Sequence, residues 1–142
     1  MKKVILFKTH SDSNNIYENT ISKDADVLFI EPIHIIQFTF SNELLNLLRE
    51  NNNLTIILTS KYAAKRLENF GLNDAKFYIV GRQIAKFVQS FAPFSSRIIA
   101  NSADNLIELF ENEERILIYI RGVRSLDIID KYFQEKGLNI NI

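Results

Sequence analysis

Cysteine and tryptophan are absent from this sequence, and histidine, proline and glycine number only two, two and four. Without cysteine the chain has no disulfide, no thiolate nucleophile and no thiolate metal ligand. A chain without cysteine fits a reducing compartment, so we expect a cytoplasmic protein. The scarcity of glycine also limits the ligand-binding loops that the chain can form.

Metal and nucleotide sites are the first classes that these absences disfavour. His10 and His34 lie in separate segments, whereas a metal centre needs several ligands close together. The glycines form neither the dinucleotide-binding motif nor the P-loop motif. We therefore expect no metal and no other cofactor.

Neither sign of charge dominates, because 17 basic residues balance 17 acidic ones. This balance argues against capture of nucleic acid or of an anionic membrane by bulk electrostatics. The apolar run at residues 4–7 is short for a signal peptide and is followed by Lys8, and no apolar stretch approaches the ~18 residues of a membrane span. The 142 residues can form one ordinary core.

Short runs rich in Val, Ile and Phe alternate with segments of helical period, which is typical of βα units in a parallel sheet. Strands are predicted at residues 3–8, 25–30, 54–59, 76–80, 97–100, 115–120 and 139–142. The sequence thus predicts an α/β fold: a flavodoxin-like parallel sheet of about five strands with helices on both faces, preceded by a strand-helix-strand fragment.

Capping residues mark where the helices begin and end. Ser41 and Ser102 are predicted N-caps, and Gly137 follows the last helix. Residues 31–40 have no helical period and contain Pro32 after a strand, so they are predicted to form an extended crossing segment. We therefore predict a boundary that separates residues 1–33 from residues 34–142, with residues 34–40 crossing between them.

The predicted corners between strands and helices are rich in hydrogen-bond donors. Such corners lie at the carboxyl ends of parallel strands, where helix N-termini face a ligand. Carboxylates suit donors of this kind, although polar residues are common in any such loop. Gly81 permits either close packing or approach of a ligand. The predicted donors are Lys8, Thr59, Ser60, Lys61, Arg82, Gln83, Asn101, Ser102, Arg121 and Arg124.

A phospho-receiver of similar topology would need acidic residues at these strand ends to hold magnesium. The ends carry basic, hydroxyl, amide and glycine residues instead. A nucleotide-binding or phospho-signalling function is therefore disfavoured, and the fold class alone does not decide the function.

Six motifs occur in an order that resembles uroporphyrinogen-III synthase, a cofactor-free lyase of haem biosynthesis. They are VILFK (4–8), LFIEPIHIIQF (28–38), LTSKYA (58–63), YIVGRQIA (78–85), NSADNL (101–106) and YIRGVRS (119–125). Members of that family have two α/β domains joined by crossing segments, with the substrate in the cleft between them. The resemblance implies that residues 1–33 are a fragment of a discontinuous first domain and that residues 34–142 are the second domain.

The resemblance also implies a reaction and a set of binding residues. The family cyclises hydroxymethylbilane, a linear tetrapyrrole, with loss of its hydroxyl and inversion of ring D. No residue matches an obvious general acid, so the catalytic residues stay unknown. The positions implied to bind the substrate's carboxylates are Thr59, Ser60, Lys61, Gly81, Arg82, Gln83, Ser102, Arg121 and Gly122.

Two departures from the family pattern leave a second function open. Ile84 stands where the family often has threonine, and the sequence ends at Ile142, before the family's second crossing segment and the rest of its first domain. We therefore expect an incomplete N-terminal unit that self-associates or is disordered. The two candidates are a truncated uroporphyrinogen-III synthase and a catalytically inactive remnant that acts as a binding or interaction domain.

Overall fold

Alternating strands and helices make up the computed structural model, which describes residues 2–7, 25–30, 39–111, 114–122 and 127–138. The chain divides into two compact units, Met1–Thr39 and Phe40–Ile142. In the first unit, β1 (Lys2–Phe7) and β2 (Ala25–Ile30) form a parallel pair. The assignment of residues 1–33 to a fragment of another domain stays a prediction.

The second unit contains a parallel sheet, as predicted. Its described strands lie in the order β5-β4-β3-β6. Its elements are α1 (Asn42–Glu50), β3 (Leu54–Leu58), α2 (Lys61–Lys65), β4 (Lys76–Val80), α3 (Arg82–Phe91), β5 (Ser96–Ala100), α4 (Ala103–Leu109), β6 (Ile116–Ile120) and α5 (Ile128–Glu135).

Several predicted features fall outside the described residues. They are the helix predicted between the first two strands, the strand at residues 139–142, most of the crossing segment, and the residues Lys8, His10, His34 and Arg124. The remaining strand predictions agree with the structure to within one or two residues.

Helices cover both faces of this sheet, which confirms the predicted fold class. All five residues of β3 are buried, because successive side chains point to opposite faces and both faces are covered. Ile56 and Leu58 pack into the hydrophobic core with α1, α2 and α3. Ile57 packs into the opposite core with α4 and α5.

Capping side chains begin two of the helices where the sequence predicts them. The Leu44 N–H donates to Ser41 Oγ over 3.2 Å at the start of α1. The Asn105 N–H donates to Ser102 Oγ over 3.1 Å at the start of α4. Each such cap is worth about 1 kcal/mol. Gly137 follows α5 with φ of +66°, a conformation in which glycine has no steric penalty.

The order in which successive strands join the sheet reverses between β3 and β6, although the two strands are parallel. From β3 the chain proceeds through β4 to β5 at one side of the sheet, and it then returns to pair β6 with the other side of β3. The helix that follows β3 lies on one face, whereas the helix that follows β6 lies on the other. Such a switch point leaves a crevice at the carboxyl ends of the two strands, which is where open α/β sheets bind ligands.

Candidate binding site

The carboxyl ends of all four described strands of the second unit are level with one another. Leu58 at the end of β3 is paired with Ile79 and with Ile120, and Val80 is paired with Ala100. Neighbouring strands are spaced by about 4.8 Å, so the four ends span about 15 Å along one edge of the sheet. We call this the carboxyl edge.

Each predicted binding residue of the second unit lies at the carboxyl edge. Thr59 and Ser60 follow β3, and Lys61 begins α2. Ser102 follows β5, whereas Arg121 and Gly122 follow β6. The β4 end contributes Gly81, Arg82 and Gln83. The structure thus brings these residues to one edge, and their role in binding a substrate stays a prediction.

Gly81 is required by its backbone conformation and not by close packing. Its φ is +97°, which residues with a Cβ rarely adopt, and a Cβ built there would meet no described atom within 4 Å. The Gly81 N–H donates to the Ala100 carbonyl over 2.8 Å. The chain therefore turns sharply from β4 into α3 and leaves open space above the turn.

The start of α3 has features that favour an anion. No side chain among the described residues caps this helix, and its first turn contains no acidic residue. The first backbone N–H groups of a helix have no partner within the helix, and they carry the positive end of its dipole. Arg82 and Gln83 are exposed beside them. Ile84, in contrast, is buried in the core beneath the helix.

Ser60 and Ser102 use their hydroxyl groups as caps for their own helices. Ser60 Oγ accepts from the Tyr62 N–H over 3.2 Å, and Ser102 Oγ accepts from the Asn105 N–H as described above. A hydroxyl group also has one hydrogen to donate, so each serine retains a donor that can reach a ligand. The Asn101 N–H donates to Asn105 Oδ1 over 3.1 Å. This hydrogen bond joins the residue after β5 to the first turn of α4.

Tyr119 is a residue of this edge that sequence reasoning missed. Its hydroxyl oxygen lies 3.4 Å from Thr59 Oγ1, although only 2% of the Tyr119 residue surface is exposed. Its ring belongs to the core that contains α4 and α5. The sequence does contain one indication of this residue, because Tyr119 brings a hydroxyl group into the otherwise aliphatic strand ILIYI.

Arg121 contacts a carboxylate and a backbone carbonyl of the described residues. Its Nη2 lies 3.1 Å from Asp130 Oδ2 in the first turn of α5, and its Nη1 donates to the Gly122 carbonyl over 3.3 Å. The Arg121 and Asp130 side chains are only 22% and 20% exposed. Arg121 is therefore a paired cation, whereas Lys61 and Arg82 are exposed at the surface. Asp130 was also missed from the sequence.

A groove of about 600 Å³ lies at the opposite, amino edge of the sheet. Lys76 at this edge lies 3.3 Å from Glu111, so part of its charge is balanced locally. No predicted binding residue lines the groove, whose lining consists of Asn53, Lys76, Ser96, Glu114 and Arg115.

The described part of the chain contains neither a cluster of metal ligands nor a membrane-spanning helix. No group of three or more His, Cys, Asp or Glu residues there is placed to hold a metal ion. No described helix has both the length and the apolar character needed to cross a membrane.

The fold and the carboxyl edge define a doubly wound parallel α/β domain. A crystal structure of uroporphyrinogen III synthase from the extremely thermophilic bacterium Thermus thermophilus is similar, with a TM-score of 0.56 and 13% identity over 99% of this chain and 59% of that one. A second structure of the Thermus thermophilus enzyme has a TM-score of 0.54 and 13% identity over 99% of this chain and 60% of that one.

These similarities establish a shared fold. The chain spans about three fifths of the length of both synthase structures. No protein-family model matches the sequence, and no curated protein matches it either.

Proposed function

We propose that the carboxyl edge binds a linear tetrapyrrole and that the chain acts as a uroporphyrinogen-III synthase. It would cyclise hydroxymethylbilane with inversion of ring D, without a cofactor. The observation that carries this proposal is the alignment of four strand ends whose corners carry amide, hydroxyl and cationic donors. The structural similarity to two uroporphyrinogen III synthase structures supports it.

The donors at the edge suit the chemistry of such a ligand. Acetate and propionate groups on each pyrrole ring are carboxylates, which accept hydrogen bonds from helix N-termini and from cationic side chains. The open start of α3 would bind one carboxylate, with Arg82 and Gln83 beside it. Lys61 and the hydroxyl groups of Thr59 and Ser60 would bind another. Because the net charge of the chain is zero, these attractions have to be local.

The catalytic task would be largely conformational. Spontaneous closure of hydroxymethylbilane gives the isomer without inversion, so the protein must favour the geometry that leads to the inverted ring. Binding energy from several carboxylates can hold a flexible chain in that geometry, which lowers the barrier to one closure over the other. This role requires positioned donors and does not require a strong general acid.

The decisive experiment measures conversion of hydroxymethylbilane and separates the two product isomers. Isomer III has the inverted ring D, and isomer I lacks the inversion. Formation of isomer III at a higher rate than in a protein-free control would support the proposed synthase. Isomer I alone at the spontaneous rate, with saturable binding of a tetrapyrrole, would support the inactive binding domain. No binding of a tetrapyrrole would contradict the proposed synthase and would leave the inactive interaction domain as the remaining candidate. The cytoplasmic location expected from the sequence stays a prediction.

A further inference from the structure

We propose that Asp130 is a specificity-determining residue of the carboxyl edge. By neutralising Arg121, it prevents the β6 end from capturing a carboxylate and so directs the acidic groups of a ligand toward the β3 and β4 ends. This inference rests on the proposed function, because it assigns a charge preference within the same site. It concerns a residue that the sequence motifs do not include.

The first support is the geometry of the ion pair. Asp130 Oδ2 binds one terminal nitrogen of Arg121, and the Gly122 carbonyl accepts from the other. About four fifths of each charged side chain is buried. Charges that are partly removed from solvent are screened less than surface charges, so each one strongly offsets the other at the site.

The second support is the contrast with the neighbouring strand ends. Lys61 at the β3 end and Arg82 at the β4 end are exposed, and the first turns of α2 and α3 contain no acidic residue. At the β6 end the cation is paired with Asp130, which lies in the first turn of α5. Among the described residues, the carboxyl edge therefore has an exposed cation at each of the β3 and β4 ends and a pair with no net charge at the β6 end.

The consequence for a ligand follows from Coulomb's law. A carboxylate near Arg121 would be attracted by the guanidinium and repelled by Asp130 at similar distances, so little net attraction remains. A carboxylate near Arg82 or Lys61 meets an exposed positive charge. Asp130 thus acts through Arg121 to determine which strand ends bind the acidic groups.

The test compares four forms of the full-length chain: wild type, Asp130→Asn, Arg121→Gln/Asp130→Asn, and Asp104→Asn. Asp104 is the matched control, because it is an exposed acid in the first turn of α4 at the same edge. Binding of uroporphyrin I, a tetrapyrrole with eight carboxylates, is measured by fluorescence. Binding of benzenehexacarboxylate is measured by calorimetry, and both titrations are done at low and high salt.

We expect Asp130→Asn to tighten the binding of both probes by about 3- to 10-fold at low salt, because it removes the negative charge that offsets Arg121. The gain should decrease at high salt. Asp104→Asn should change affinity by less than about 2-fold, since Asp104 is not proposed to contact the ligand and its exposed charge is screened by solvent and salt. The double variant should bind like the wild type, because it removes a pair that has no net charge.

Unchanged or weaker binding by Asp130→Asn, or a gain that persists in the double variant, would overturn the inference. If Asp130→Asn fails to fold, the double variant decides the question, since a loss of more than about 3-fold would mean that Arg121 contacts the ligand directly. Failure of the proposed function has a different result. No variant would then bind uroporphyrin I. Benzenehexacarboxylate would still bind more tightly to Asp130→Asn than to the wild type, because the charge of Arg121 is no longer offset.

Discussion

The Gly81 N–H donates to the Ala100 carbonyl over 2.8 Å, and this hydrogen bond extends the pairing of β4 and β5 by one residue at the carboxyl edge. The same glycine then turns the chain into α3 with φ of +97°. Sheet and helix therefore meet within a single residue, and the first N–H groups of α3 lie directly beside the ends of the strands. The candidate site depends on this turn.

Replacement of Gly81 by alanine should affect both stability and binding. The positive φ would become strained, which costs about 1–3 kcal/mol of unfolding free energy. The matched control is Gly137→Ala, because Gly137 also has a positive φ and open space around its Cα, but follows the C-terminus of α5. Chemical denaturation should show a loss in both variants, whereas only Gly81→Ala should weaken tetrapyrrole binding. Equal effects of the two on binding would contradict the proposed site.

The hydroxyl of Tyr119 should matter for the ligand through Thr59. Tyr119→Phe removes the group that lies 3.4 Å from Thr59 Oγ1 and should cost about 0.5–1.5 kcal/mol of stability. Tyr78→Phe is the control, because the Tyr78 hydroxyl accepts from the Glu111 N–H on the same face of the sheet but beyond α4. We expect similar unfolding midpoints and weaker uroporphyrin I binding in Tyr119→Phe alone. Unaltered binding in both variants would remove Tyr119 from the site.

The exposed cations should dominate the salt dependence of binding. Lys61→Gln and Arg82→Gln should each weaken uroporphyrin I binding by about 3- to 10-fold at low salt, with a shallower dependence on salt than the wild type. Lys136→Gln is the control, because Lys136 follows the last turn of α5 at the far end of that helix. A Lys136 variant that loses as much affinity as the other two would indicate non-specific attraction.

The first unit should promote association between copies of the chain. Its described strands, β1 and β2, form a two-stranded parallel pair, and two strands alone are marginally stable in water. Light scattering coupled to size exclusion should show a mass that rises with concentration. Limited proteolysis should cleave the first unit before the second. A monomer at every concentration with a resistant first unit would contradict this prediction.

Much of the second unit could be predicted because local chemistry determines it. The run LTIIL is apolar enough to predict a fully buried strand, and it forms one. Ser41 and Ser102 cap helices as predicted, since a serine before an apolar helical pattern can accept a hydrogen bond from the N–H of the residue three positions later. Each of these features depends on residues that lie within a few positions of one another in the sequence.

The remaining features depend on contacts between distant parts of the chain. The order of the strands follows from which faces the helices cover, and no single strand encodes it. Arg121 and Asp130 were separated in the sequence by a corner and the start of a helix, so only the packing of α5 pairs them. Likewise, Thr59 and Tyr119 meet because β3 and β6 are neighbours, although 60 positions separate them.

The two hydrophobic layers that enclose the sheet anchor different parts of the site. The helix bearing Arg82 rests on one layer, whereas the helix bearing Asp130 rests on the other. A cavity created under α5 would loosen the ion pair and leave the neighbouring cations in position. Substitutions in the interior of this protein can therefore alter one half of the ligand contacts while the other half is preserved.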